Sequence, residues 1–337
     1  MRGSATTYGK RFSLDTLGIY IYVITICVGC WVVGYMESIG FPVYAEVMAT
    51  PLWATICQIL PGKAFTYIIG ILLMFGGAFI IHRANYALVL IREKTLLPFL
   101  LYILFISTNP DFFPLKSTSV GVFCLILAIY PLLTSYHNPE ATGKIYNATL
   151  FLGIGSLLWV HILWFLPLFW IGMYSFRSLS LRTFLASLLG VGTVYWFVLG
   201  WCVWFGDYSA LTIPFSTLLK IKFILFERID LIDWISILYV AFLTLISSVN
   251  IFMYDSGDNI RSHQFLSFLT LAAIWSFGLF FLYEQSSEEF LQIACMPAAI
   301  LIAHFFTIMR SRYTFWLFHF TILFFIAVLF LRLWNFL

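Results

Sequence analysis

The sequence predicts a polytopic α-helical membrane bundle of ten or eleven spans, and three observations carry that expectation. Hydrophobic residues make up 62% of the chain and charged residues only 10%, whereas a soluble domain carries about 25% charged residues. The apolar stretches are long and unbroken, where barrel strands would alternate over about ten residues. Between them lie short polar segments in which basic residues concentrate on alternate sides. A chain with a mean hydropathy of +0.98 needs lipid as solvent, and in lipid the backbone must satisfy its own polar groups, as a helix does.

The elements follow in order from a span length of about 20 residues. Residues 1–16, MRGSATTYGKRFSLDT, are polar and basic and read as a cytoplasmic tail; the rest, 17–337, reads as a single transmembrane domain. The run 17–36 is long enough to cross, and no small-residue cleavage site follows it, so it reads as a retained signal anchor. Residues 37–64 are too apolar for a free loop and too interrupted by Pro42, Pro51 and Pro61 for a span; short helices lying in the interface fit that pattern. Further spans are expected at 65–82, 95–108, 118–135, 146–159, 160–176, 183–205, 232–252, 263–283, 290–308 and 314–334. The 95–108 segment is short and contains Pro98. The stretch 146–176 reads either as one tilted helix or as two short ones meeting near His161. In 206–231, Lys220 and Lys222 alternate with apolar residues, so helix and strand both remain open there.

Charge arbitrates the topology, because Lys and Arg in short loops favour the cytoplasm. With eleven spans and the N-terminus inside, Arg2, Lys10, Arg11, Arg83, Arg92, Lys94, Lys144, Arg177, Arg182, Arg261, Arg310 and Arg312 lie inside. Lys63, Lys116, Lys220, Lys222, Arg228 and Arg332 lie outside, a division of twelve to six. Merging 146–176 weakens that asymmetry, so the split arrangement, N-in and C-out, is preferred. Acidic residues then gather outside, among them Glu37, Glu46, Asp111, Asp207, Asp233, Glu284, Glu288 and Glu289.

The candidate chemistry is therefore outer. Glu37 follows the first span, Glu46 sits in the apolar first outer loop, and Asp111 stands between Pro110 and Pro114 in the second. Carboxylates at a membrane edge can act as bases or bind a divalent metal, or can simply be solvated loop acids. His161, at the turn between two short spans, suits either a phosphate or closure of a helix turn. Arg83, Asn85, Tyr86, Arg92, Glu93 and Lys94 form a polar loop suited to orientation and headgroup contact. Cys27 and Cys30 make C-x-x-C inside the first span, away from the accessible electropositive setting that redox chemistry needs, and read as structural. His304 and His319 on adjacent spans could pair across a b-type haem, though interhelical hydrogen bonding is the commoner use. Span centres lack acids, which argues against ion-coupled transport. The scattered basic residues exclude a nucleic-acid surface.

Two stretches also carry a resemblance. RANYALVLIREKTLLPFLLYILFISTNPDFFPL, followed by NPEATGKIYNATLFLGIGSLLWVHILWFLPLFWIGMYSFRSLSLRTFL, resembles an uncharacterised polytopic inner-membrane family of Bacteroidota over roughly residues 80–210. The layout is remotely similar to C-fold membrane glycosyltransferases and polysaccharide polymerases. In these an acid-bearing first outer loop follows the first span, a second acid lies in a later outer loop, and short paired spans come next. That likeness implies a lipid-linked sugar donor, with Glu37, Glu46 or Asp111 as base or metal ligand. Arg228 and Lys222 would then suit the lipid phosphate. The paired acidic motif of that superfamily and its sizeable C-terminal periplasmic domain are not seen in this sequence.

The reading is thus an inner-membrane protein of envelope biogenesis with a glycosyltransferase-like core. Its expected contacts are the bilayer and a polyprenyl-phosphate-linked sugar. The alternatives are a non-catalytic subunit that binds another envelope membrane protein, and a lipid or solute transporter.

Overall fold

A computed structural model describes residues 17–37, 50–59, 62–109, 112, 114–223, 231–253, 259–309 and 311–336. Among them the regular structure is helical, apart from one isolated bridge between Lys222 and Tyr283. The helices are α1 (Leu17–Glu37), α2 (Pro51–Ile59), α3 (Lys63–Leu88), α4 (Leu97–Ser107), α5 (Ser117–Thr134), α6 (Thr142–Leu158), α7 (Phe165–Ser175), α8 (Leu181–Phe205), α9 (Ser209–Leu218), α10 (Leu231–Met253), α11 (Ile260–Leu282), α12 (Ser287–Ile308) and α13 (Arg312–Phe336). Eight of these, α1, α3, α5, α8 and α10–α13, are long and apolar enough to cross a membrane.

The chain doubles back between α6 and α8. Residues just before α6 meet those just after α7: the His137 N–H donates to the Phe176 carbonyl at 2.9 Å, and Ser180 Oγ donates to the Pro139 carbonyl at 2.9 Å. Between the two arms, Trp159 is extended and Val160–Trp164 forms a 3-10 turn. The stretch 146–176 is therefore two short arms with their reversal at His161. Ser180 and Thr183 then open α8 with reciprocal side-chain caps, and Gly206 closes it in the left-handed region at φ 70°, where glycine carries no Cβ penalty.

Helix α4 explains the short, proline-bearing segment. Pro98 lies in its first turn, where a missing N–H costs nothing. At eleven residues it is about 16 Å long, half the hydrocarbon thickness. Beyond it, the Leu115 N–H donates to the Thr66 carbonyl at 3.1 Å near the start of α3. Nearly every residue of α4 is buried. Trp31 Nε1 donates to Ser107 Oγ at 2.8 Å and ties α1 to its far end.

The centre of the bundle is α12, packed against α4, α10 and α11. Ala294, Ala298, Ala299 and Ala303 let those neighbours approach. Helix α8 is peripheral and joins the bundle along α6, where Gly190 lies against Thr149 and the Tyr146 backbone. The bundle therefore has two ends. At the root end, α1 begins and α3 finishes. At the cap end, α1 finishes, α3 begins and the 3-10 turn sits.

The thiols of Cys27 and Cys30 are buried and unbridged. His304 is buried in α12, while His319 Nδ1 lies 3.0 Å from the Phe315 carbonyl of its own helix. That nitrogen is thus engaged within α13.

Candidate functional site at the cap end

Short apolar segments with a polar seam build the cap. Helix α2 is anchored at its start, where Thr50 Oγ1 donates to the Leu157 carbonyl at 2.9 Å and accepts the Trp53 N–H at 3.3 Å. Helix α9 starts after Asp207, which accepts hydrogen bonds from both the N–H and Oγ of Ser209 at 2.8 and 2.9 Å. These bonds hold the exposed Asp207 carboxyl below its ordinary pKa. Helix α9 packs against both α2 and the Val160–Trp164 turn. In 206–231 the described part is a helix to Leu218, then a turn through Leu219 and irregular chain to a single bridge at Lys222.

The bridge at Lys222 places this chain beside Tyr283 and Glu284, between α11 and α12. The Glu284 N–H donates to the Lys222 carbonyl at 2.9 Å, and Tyr283 Oη donates to the Leu218 carbonyl at 2.8 Å. Lys222 Nζ sits 2.7 Å from Glu284 Oε2; the lysine side chain is 61% exposed and the carboxylate side chain 1%. A carboxylate withdrawn from water needs its counter-charge, and removing the lysine would leave an uncompensated buried anion. Lys222 therefore already neutralises Glu284, its one ion-pair partner among the described residues, and an ammonium carries three donors.

His161 lies on the other side of Tyr283. Its ring is 5.0 Å from Tyr283, 5.6 Å from Trp159 and 6.2 Å from Phe290 between centroids. The residue is 1% exposed, and neither ring nitrogen has a hydrogen-bond partner among the described residues. His161 lies in the Val160–Trp164 3-10 turn at the reversal, and its ring adds no hydrogen bond to that turn among the described residues. Buried polar atoms nearly always find partners, so an open imidazole in an aromatic cage marks this point of the cap.

Of the residues expected at the site, His161 and Lys222 are brought into one cluster through Tyr283 and Glu284. Glu37 is the last residue of α1, and its side chain lies outside the described part. Glu46, Asp111 and Arg228 also lie outside the described residues, and with them the convergence of the three outer carboxylates. Among the described residues no three His, Cys, Asp or Glu side chains come together to hold a metal, so no step is assigned to a metal here. Glu284 was legible only as one of several outer acids. The signal that could have singled it out is its place directly after an apolar run, since its partner is 62 residues away in sequence.

These features define a multi-pass helical membrane protein with a capped end, where a buried acid pairs with an exposed lysine. Compared with known proteins, the chain matches no family model, no curated protein and no solved structure.

Proposed function

We propose that the chain is a bacterial inner-membrane protein of envelope biogenesis with a glycosyltransferase-like core. Its working face is the cap, and its ligand is a sugar carried on a polyprenyl phosphate. The observation that carries this reading is the cluster of Lys222, Glu284, Tyr283 and His161: a cation open to the membrane edge, a buried carboxylate and an unengaged imidazole, roofed by aromatic side chains. Lys222, with Arg228, would take the lipid phosphate by charge-assisted hydrogen bonds. Trp159 and Tyr283 are buried and pack the His161 ring beneath that cation. For sugar transfer, Glu37, Glu46 or Asp111 would serve as base.

Charge supports the N-in orientation. Arg83, Arg92, Lys94, Lys144, Arg177, Arg182, Arg261 and Arg312 belong to the root end; Lys63, Lys116, Lys220 and Lys222 belong to the cap end. By the positive-inside rule the root faces the cytoplasm and the cap faces outward.

The test is equilibrium binding of a short-chain polyprenyl phosphate, and of the corresponding polyprenol, to the full chain in detergent. The double variant Lys222→Gln/Glu284→Gln removes both charges without stranding the carboxylate, and Lys222→Arg keeps the cation. The reading expects the phosphate to bind more tightly than the alcohol, with that preference kept in Lys222→Arg and lost in the double variant. Equal binding of phosphate and alcohol would overturn it.

A second reading, a non-catalytic subunit, is favoured by one observation. Helix α8 turns Trp196, Phe197, Trp201 and Trp204 outward, a face broad enough for another membrane protein. A partner that co-purifies with the wild type but not with an α8-face variant would support it.

A further inference from the structure

At the opposite end of the bundle a cleft of 490 Å³ opens between the first turn of α1, the last two turns of α3 and the turn 89–96. Its volume falls in the range of small-ligand sites. Tyr20, Val89 and Leu96 supply apolar wall; His82, Arg92 and Lys94 supply the polar lining. The shape is held by the backbone. Val89 ends α3 in the left-handed region at φ 52°. Asn85 then accepts three N–H groups: its carbonyl takes Val89 and, at 3.3 Å, Leu90, and its Oδ1 takes Ile91 at 3.0 Å. Ser262 Oγ, from the start of α11, donates to the Val89 carbonyl at 2.7 Å and fixes the turn from outside.

The electrostatics favour an anion. Arg92 and Lys94 outweigh Glu93, the one acid in the lining. Lys94 rests on a neutral group, with Nζ donating to Tyr86 Oη at 3.3 Å and lying 4.8 Å from the ring centroid, so its charge is undiminished. His82 Nδ1 is shielded from solvent and has no hydrogen-bond partner among the described residues. The cleft sits where apolar helices end, the depth of lipid headgroups, and its apolar rim continues onto the lipid-facing surface of α3.

We propose that this cleft binds the phosphodiester of an anionic phospholipid, with Arg92 and Lys94 on the phosphate oxygens and the acyl chains running down α3. The site is separate from the cap and does not depend on the function assigned there. The experiment uses the full chain in nanodiscs of mixed phosphatidylglycerol and phosphatidylcholine, and counts the lipids retained after detergent exchange. The wild type retains phosphatidylglycerol, and Arg92→Gln/Lys94→Gln retains about tenfold less. Arg177→Gln/Arg182→Gln, which removes two exposed cations at the same end but outside the cleft, retains the wild-type amount. Equal loss in both pairs would mean surface charge alone and would overturn the proposal, as would full retention in the first pair. Inorganic phosphate added at millimolar concentration should displace little of the lipid; complete displacement would assign the cleft to free phosphate and overturn the lipid assignment.

Discussion

Helices α8 and α12 are close in hydropathy, 1.7 and 1.9, yet 17% of the apolar stretch of α8 is buried and 89% of that of α12. Hydropathy reports that the solvent is lipid; it does not report which helix stands in the middle. Position follows from side-chain size. The α12 sequence SEEFLQIACMPAAILIAHFFTI brings four alanines into its packed faces. The α8 sequence places its small or polar residues Thr183, Ser187 and Gly190 on one strip and projects large aromatics elsewhere. In lipid there is no hydrophobic gain from hiding a leucine, so close packing and hydrogen bonds decide the arrangement.

If that account is right, the largest penalty belongs to the narrow strip of the exposed helix rather than to its broad face. Gly190→Ala would drive a methyl onto Thr149 and to within 2.7 Å of the Tyr146 carbonyl. We expect a loss of about 3 kcal/mol, the upper end of overpacking costs, read as a lowered thermal midpoint in detergent. Ala299→Leu, at a fully buried site in α12, should cost about 2 kcal/mol by the same mechanism. Equal tolerance of leucine at Ala299 and on the outer face of α8 would break the comparison. Ser156→Ala removes the 2.9 Å hydrogen bond to Tyr195 across the α6–α8 seam and should cost about 0.6 kcal/mol, the average for such bonds in a membrane. Trp204→Leu, at an 84% exposed site on α8, should change stability by less than about 0.5 kcal/mol. Any larger loss would point to a partner covering that face.

The smallest effect is at the cap. Asp207 holds the start of α9 only while ionised, and its pKa is lower in the folded chain than in the unfolded one. Its contribution is therefore present above the ordinary carboxylate pKa and is lost as pH falls through the lower folded value. Amide exchange in α9 should be flat from about pH 5 to 8 and quicken, relative to the intrinsic rate, only below about pH 4. Asp207→Asn should remove that acid-side change.

Much of the bundle was legible because long apolar runs separated by basic turns have few other solutions. The reversal at His161 was indicated by charge asymmetry, since splitting 146–176 places more Lys and Arg on one side. The passage through α4 was harder. Eleven residues are too few for a span, and the burial of α4 depends on neighbours from α1, α3 and α12. Likewise, Lys220 and Lys222 in alternation with apolar residues left helix and strand open, because short segments carry no decisive period. At the cap, His161 and Lys222 stood out as polar residues in apolar surroundings. Glu284 did not, since a pair formed between residues 222 and 284 leaves no local trace. The root cleft was legible as a basic loop and invisible as a cavity, because its shape comes from hydrogen bonds of Asn85 and Ser262 to backbone.

We propose that the cap, at Lys222 and Glu284 and above His161, receives a phosphate-bearing prenyl lipid. The most direct test is photo-crosslinking of the full chain in a bilayer with a polyprenyl phosphate bearing a photoreactive group in its first isoprene unit, followed by mapping of the labelled peptides. The account predicts label on residues 159–164, 219–223 and 283–290, competed by unlabelled polyprenyl phosphate and not by polyprenol. Label confined to the lipid-facing surfaces of α8 and α13, or insensitive to that competition, would contradict it.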